Sequence, residues 1–419
     1  MVKFIHTADI HLDSPLKGLE AREDAPIEEI RGATRRAFDN LVDLAIEEEV
    51  DFILIAGDLY DGDWKDYNTG LFFASRMGRL AKAGIRVFIV SGNHDAASQI
   101  TKAMPLPDNV SLFSSKKPQS VKLDDLKVVV HGQSYSSKAM VDNLASHYPQ
   151  ADGDFFNIGL LHTALTGRDG HENYAPCALD ELKAKGYDYW ALGHIHKREV
   201  VCEVPLVVFP GNIQGRHIKE IGAKSVTVVT IDNGRISEIT EHELDVLRWA
   251  ICQVDLSGCE TVDAVYSLVR QGFEQEQARA DGKTLALRLV LTGKCPVHGQ
   301  LLERTAQWTE EFRGIALGLS NVWLEKVLFQ TNRKMSLEDI FGNDTPMSSL
   351  LNAIENLRLT DESLMALVPE LTTLKIKLPP EIHADDEPFL DLSQGKLVGL
   401  CAEAQELLIA RLLQHGETR

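Results

Sequence analysis

The sequence predicts a layered α/β fold in which two sheets stack between helices, on three observations. Residues 1–110 alternate apolar runs with helical periodicities in the order βαβαβ. After Val110, strand-like runs follow one another in numbers that call for a second sheet. At 419 residues the chain is long enough for two or three domains.

KFIHTADIH is a short apolar strand that ends in polar residues. From Pro26 to Glu49 the apolar side chains Ile30, Ala33, Ala37, Leu41, Leu44 and Ala45 recur at helical spacing. DFILIAGDLYDG is a second strand, ending at Gly57-Asp58, and a helix from about Tyr67 to Ala83 follows. RVFIVSGNHD is a third strand that runs into a polar turn. VSLF, SVKL, KVVVHG, FNIGLLHT, YDYWALGH and VPLVVFPGN supply further strands, and SVTVVTIDNGRISEIT is a hairpin with Asn233-Gly234 at its turn.

These elements define an expected catalytic domain over 1–246. Residues 247–335 form an expected small α/β cap: WAICQVDLSG, a helix from Thr261 to about Ala280, LALRLVLTG, a helix from about Gln300 to Arg313, and VWLEKVLFQT. Residues 336–419 are expected to be a helical C-terminal segment. Ser336 with Asp339, and Thr360, are its candidate helix caps. Pro379-Pro380 and the acidic HADDEP stretch read as a linker before a last helix, Gln394 to about Leu413. That helix carries a stripe of Leu397, Leu400, Ala404, Leu407 and Leu408, spaced either to dock a partner or to pack on its own chain.

Composition narrows the function. Hydrophobic residues are 44% and charged residues 25%, as in globular proteins, and no stretch approaches the roughly 18 apolar residues of a membrane span. The opening MVKFIHTADIH does not have the form of a signal peptide. Six cysteines without a CxxC pair read as reduced thiols of a cytoplasmic protein. The net charge of −19 argues against tight binding of DNA by this chain without metal, because free-standing DNA binders carry excess Lys and Arg. Bound divalent ions would invert the local field.

Five motifs stand at the ends of predicted strands: DIH (Asp9, His11), GD (Gly57, Asp58), GNHD (Gly92 to Asp95), LHT (His162) and GHIH (Gly193 to His196). Taken singly, a DxH can cap a turn and a GHIH can be two core or surface histidines. Five in this order form a set of oxygen and imidazole donors without thiolate, suited to Mn, Fe or Zn. In layered α/β folds sites gather at the carboxyl ends of strands. A carboxylate between two ions would hold them ~3.5–4 Å apart, as in two-metal hydrolases. His6 and Asp13 read as hydrogen-bonding supports, and His131 as a satisfied strand-end histidine. His171 and Glu172 lie in a loop that either touches substrate or faces solvent. Lys197, Arg198, Arg216 and Lys219 are either a solvated basic rim or a grip on flanking phosphates.

In that order the motifs resemble those of the calcineurin-like metallophosphoesterases, which implies the two-sheet αββα sandwich of that family. HTADIHLDSPL, GDLYDGDW, SGNHD, LHTALTGRDGHENYAPC, LGHIHK and PGNIQGRHIKE resemble the SbcD-type DNA repair exonucleases, most closely their YhaO-like bacterial branch, over residues 1–220. The resemblance implies that Asp9, His11 and His196 bind one metal, that Asn93, His162 and His194 bind a second, and that Asp58 bridges them. His94 would serve the scissile phosphate and leaving oxygen, oriented by Asp95. Where some family nucleases have a second histidine, three residues after the bridging aspartate, this chain has Asp61. The implied cofactors are two divalent ions, Mn²⁺ foremost. The implied partners are DNA, an SbcC-like coiled-coil ATPase and a second copy of the chain, with no membrane. A phosphoesterase acting on a nucleotide or other small phosphodiester would use the same metals. A non-catalytic scaffold would not need the full donor set.

Overall fold

The computed structural model describes residues 1–14, 27–61, 67–97, 106–166, 174–333, 349–350, 353–354, 360, 363, 370, 373 and 396–417. His171, Glu172, Ser336, Asp339 and the HADDEP stretch lie outside them. The chain divides into two units. The first is Met1–Ile251 with Gln277–Leu287 and Asn321–Trp323; the second is Cys252–Glu276, Arg288–Ser320 and Leu324–Arg419.

The first unit is an αββα sandwich. One six-stranded sheet runs Arg235–Glu243, Ser225–Asp232, β1 (Val2–Thr7), β2 (Phe52–Ala56), β3 (Arg86–Val90), β4 (Val110–Leu112). Its last four strands are parallel neighbours, and Ser225–Asp232 closes against β1 antiparallel. The other runs β5 (Gln119–Leu123), β6 (Val128–Gly132), β7 (Phe156–His162), β8 (Tyr189–Gly193), Leu206–Phe209, Glu199–Glu203. Its middle strands are parallel and both edges antiparallel.

Alternation along the strands builds three layers of core. Phe4, Phe52, Leu54, Phe88 and Val90 meet Val130, Ile158, Leu160, Tyr189 and Val208 between the sheets. Ile5, Ile53, Ile55, Val87 and Ile89 point outward onto Phe38, Leu41, Phe73 and Leu80 of α1 (Ile27–Glu47) and α2 (Tyr67–Lys82). Leu161, Trp190, Leu192 and Val207 do the same on the other sheet, beneath Tyr148 and Leu182. With both faces covered, the parallel strands are mostly apolar, β2 (FILIA) without a break, and the candidate ligands stand at or just past the strand ends.

Strands Leu247–Asp255, Thr284–Cys295 and Val322–Arg333 form a three-stranded sheet in that order with Thr284–Cys295 central. In the second unit the helix Val262–Arg279 buries Val265, Val269 and Phe273. The helix expected from Gln300 to Arg313 is two helices, His298–Glu303 and Thr305–Leu317, broken at Arg304, whose φ −125° and ψ 38° are not helical. Thr360 Oγ1 accepts from the N–H of Ser363, which is helical, at 3.2 Å, the hydrogen bond a helix cap makes.

The C-terminal helix, Lys396–Glu417, lies against His298–Glu303. Glu406 accepts from Arg333 Nε and Nη2, both at 3.1 Å, and Ile409 is buried. Ala404 and Leu408 of the expected apolar stripe are exposed, so the buried face of this helix is rotated from that stripe.

Candidate metal centre

The sandwich brings its polar strand ends to one edge. Asp9 and His11 follow β1, Asp58 follows β2, and Asn93 and His94 follow β3; His162 ends β7, opposite Gly193 of β8, and His194 and His196 follow. The loops after β1 and β2 continue the parallel pairing, Asp9 N donating to Gly57 O and His11 N to Asp58 O, both at 3.0 Å. Asp9, His11, Asp58 and His194 all have left-handed backbones, with φ of 51°, 46°, 52° and 104°. Non-glycine residues adopt this region rarely and at a cost, and such strain clusters at functional sites. Two glycines keep the approach close: a Cβ at Gly57 would stand 2.3 Å from His162 Nδ1, and one at Gly193 would stand 1.9 Å from Ala56 O.

All seven candidate ligands converge. One set is Asp9, His11 and His196; another is Asp58, His162 and His194, their ligand atoms within 4.8 Å of one another in each set. His11 Nε2 and His196 Nε2 face each other at 3.3 Å, and Asn93 Oδ1 lies 3.0 Å from His162 Nε2. Donors about 2.1 Å from one ion lie roughly 3.0–3.4 Å apart at octahedral or tetrahedral angles, so these pairs fit a shared ion. Asp58 Oδ2 sits 4.0 Å from His11 Nε2 and 3.5 Å from His162 Nε2, between the sets.

The imidazoles are aimed from behind. His162 Nδ1 bonds Ala56 O at 2.8 Å, and His196 Nδ1 bonds Glu220 Oε1 at 2.7 Å. Both leave Nε2 forward, as ligand histidines do when a carbonyl or carboxylate fixes the tautomer. Glu220 ends the PGNIQGRHIKE motif, but the sequence did not single it out as a partner of a ligand histidine; the rule that a ligand histidine recruits a carboxylate would have prompted a search for it.

Charge in the cluster calls for a cation. Burial, then the Asp58 charge, pushes the Asp9 carboxyl well above its usual range, and burial likewise raises Asp58. Burial lowers His162 to about 3 and holds His11 and His196 below the ordinary histidine value. Neutral imidazoles and two buried, poorly compensated carboxylates are the donor set that a divalent ion stabilises.

Asp95 does not orient His94. Its carboxylate accepts the N–H groups of Leu59, Tyr60 and Gly92 at 2.8–3.2 Å, tying the loops after β2 and β3 together. Burial, then Asp58, raises its carboxyl to about 7. His94 Nδ1 instead meets Asp61 Oδ1 at 2.7 Å. Arg216, expected on the basic rim, lies inward between Glu220 (3.2 Å) and Asp61 (3.7 Å). Arg198 is turned to Glu241 at 3.2 Å. Lys197 and Lys219 do line the cleft, a space of about 870 Å³, and Lys138, Lys224, His217 and Tyr174, which the sequence did not single out, line it too. Asp58, Asn93, His94, His194 and His196 also border it. His6 bonds Tyr189 Oη and Leu192 O, His131 bonds Ser120 and Asn157, and Asp13 holds Arg35 and Thr69; all three are supports.

Residues 2–198 match the family described as calcineurin-like phosphoesterase, and residues 249–332 match the metallophosphoesterase YhaO middle domain. An uncharacterised metallophosphoesterase, YhaO of Bacillus subtilis, is 38% identical over 74% of this chain and 76% of its own length. DNA double-strand break repair proteins Mre11 of Methanopyrus kandleri and Sulfurisphaera tokodaii are 25% and 28% identical, over 65% and 47% of this chain and 63% and 50% of their own. A crystal structure of a dimetal phosphatase from Danio rerio aligns with 58% of this chain and 96% of its own at 10% identity and a TM-score of 0.37.

Proposed function

The chain belongs to the calcineurin-like metallophosphoesterases, and from that premise we propose that it is a two-metal DNA nuclease of the SbcD type. The observation that carries the substrate class is the ring of Lys138, Lys197, Lys219 and Lys224 on the cleft that also holds Asp58, Asn93 and His94. A chain with net charge −19 gathers four cations at the one place where a polyanion would lie. Phosphates on either side of the scissile one give such lysines work that a lone small ester would not. The Mre11 relatives, named for double-strand break repair, support the same class.

Asp9, His11 and His196 would hold one ion, Asn93, His162 and His194 the other, with Asp58 between them. Such ions, Mn²⁺ foremost, supply hydroxide at neutral pH and neutralise charge on a phosphoryl group. The chain's own contribution is positional. Ala56 O and Glu220 aim the imidazoles, and Asp95 fixes the loops that carry Asp58 and Asn93. The lysines bind flanking phosphates, and His94, one-third exposed at the cleft, donates a proton to the leaving oxygen. Burial opposes charge on His94, but the hydrogen bond to Asp61 and the Asp58 charge outweigh it and raise its pKa.

An SbcC-like ATPase is the proposed partner, supported by the resemblance and by exposed Val398 and Leu408 on the C-terminal helix. Six free cysteines support a reducing, cytoplasmic setting, and among the described residues no helix is long and apolar enough to cross a membrane. The test is hydrolysis of single- and double-stranded DNA and of a mononucleotide diester with Mn²⁺, with and without an ATPase of that type. DNA cleavage that weakens when the four lysines are changed to Gln supports the nuclease. Turnover of the mononucleotide diester alone would overturn it.

A further inference from the structure

We propose that Gln214 and Trp249 are positioning residues for the metal centre: together they moor the loop 215–222, and the moored loop stands Glu220 behind His196. All of these residues belong to the first unit. The proposal rests on the reading of Asp9, His11 and His196 as a metal site.

Hydrogen bonds hold the loop at both ends. At its start, Gly215 O accepts from Trp249 Nε1 at 3.1 Å and from Gln214 Nε2 at 3.0 Å. At its end, Gly222 N donates to Trp249 O at 2.9 Å. Trp249 therefore touches both ends. The Gln214 amide pairs with the chain before Trp249 much as a peptide unit would: Nε2 donates to Leu247 O at 2.6 Å, and Oε1 accepts from Val246 N at 2.9 Å. Gln214 and Trp249 are each 2% exposed, so water cannot replace them as partners of these backbone groups. The loop also closes tightly, since a Cβ at Gly215 would stand 2.7 Å from Glu220 O and 3.1 Å from Trp249 Cδ1.

Glu220 inherits this fixity. Its Oε2 accepts from Arg216 N at 2.8 Å and from Asn212 Nδ2 at 3.0 Å, and the same Asn212 nitrogen donates to Gln214 O at 2.9 Å. With Oε2 tied to the loop, Oε1 is left for His196 Nδ1 at 2.7 Å and the Arg216 guanidinium at 3.2 Å. The simpler account makes Trp249 a packing residue, because its ring lies in a cluster with Ile30, Ile218 and Trp323. Trp323 shows what packing alone looks like. Its ring is 6.2 Å from that of Trp249, yet its buried Nε1 meets no acceptor among the described residues. Both polar groups of Trp249 named above go to the loop instead.

The test uses the full chain, with Mn²⁺ as the probe. Gln214→Met keeps the length of the side chain and loses its hydrogen bonds; Trp249→Phe keeps a ring and loses the N–H. Loss of a carboxylate behind a ligand histidine typically costs ~10–100-fold in metal affinity, so variants that act through it at one remove should weaken one Mn²⁺ site by about 3–10-fold in calorimetry. In metal-free protein, hydrogen exchange in residues 215–222 should quicken in both. Trp323→Phe should leave both readings at wild-type values. Adding Gln214→Met to Glu220→Gln should weaken the site no further than Glu220→Gln alone, because residues that act through one group are not additive. Losses that multiply in the double variant, or an equal loss of affinity in Trp323→Phe, overturn the proposal. If one of the two variants does not fold, the other decides by the same criteria. A wild-type chain that binds no Mn²⁺ sinks the metal reading and the proposal with it. Normal binding by the wild type that Gln214→Met and Trp249→Phe both keep sinks the proposal alone.

Discussion

The two units bury polar groups in opposite ways. In the second, buried and half-buried polar side chains pair with one another: His298 Nδ1 bonds Thr331, Glu406 takes the Arg333 fork, and Arg288 Nε donates to Glu325 at 2.7 Å. In the first, Asp9, Asp58, His11, His162 and His196 are brought together with their lone pairs converging. A buried polar group paired within the chain holds the fold together. One that is oriented from behind with its lone pair facing a cleft is placed to bind a ligand. Among the described residues every group of metal-ligand type falls in the first unit.

The hardest blow to that contrast would come from Asp58→Asn. Asp58 sits between the two donor sets, so the substitution should weaken both metals together and reduce activity by more than the ~10²–10⁴-fold typical of a lost general acid. Metal content by elemental analysis should drop at both sites while the second unit stays folded. Two sites that keep their metals would remove Asp58 from the bridging position. Glu220→Gln is milder, because it keeps the shape behind His196 and removes the charge. Loss of such a carboxylate typically costs ~10–100-fold in metal affinity, and one site should weaken rather than both. A titration with Mn²⁺ that shows both sites weakened equally would mean that Glu220 serves the whole cluster.

These residues also show what the sequence could reveal. The largely apolar runs of β1, β2, β3, β7 and β8 announce parallel strands buried on both faces, and the donors stand at the end of each run or within a few residues past it. Asp9, His11, Asp58, Asn93, His162, His194 and His196 were therefore legible together. The sequence does not say which way a side chain turns once the strand ends. Asp61 and Asp95 both lie near His94, and only the fold decides that Asp95 turns back to three backbone amides while Asp61 meets the ring. Arg216 and Glu220 come from a loop 20 and 24 residues beyond His196, where no periodicity constrains direction. The break at Arg304 and the rotated face of the last helix failed for the same reason: helical spacing gives a stripe but not the neighbour that covers it.

His6 sharpens the comparison from inside the first unit, since it is buried there but fully bonded to Tyr189 Oη and Leu192 O. It should behave like the second unit's polar groups and affect stability, not metals. Burial lowers its pKa to about 3, so the folded chain keeps it neutral while the unfolded chain binds a proton below about 6.5. The unfolded state then holds more protons, and stability is lost as pH falls from about 6.5 toward 3, by about 1.4 kcal/mol per pH unit for one proton. In metal-free protein, urea unfolding at several pH values should give a slope shallower by one proton in His6→Gln. Identical slopes would mean that His6 is protonated in the folded state as well, and the satisfied-histidine account would fail.

The smallest expected effect tests whether the second unit is independent of the chemistry. Glu406 is more than a third exposed, so its bonds to Arg333 and its approach to His298 are weakened by solvent despite their short distances. The hydrogen bond with His298, opposed by burial and helped by Arg333, holds its carboxyl below the usual range, so it is ionised at neutral pH. Glu406→Ala should cost about 1 kcal/mol, as exposed or half-exposed ion pairs do, and loosen the last helix from His298–Glu303. Hydrogen exchange should rise in Lys396–Glu417 while metal content and kcat stay at wild-type values. If metal content or turnover fell instead, the second unit's polar pairs would be serving the metal centre, and the division between a self-satisfied unit and an open one would not hold.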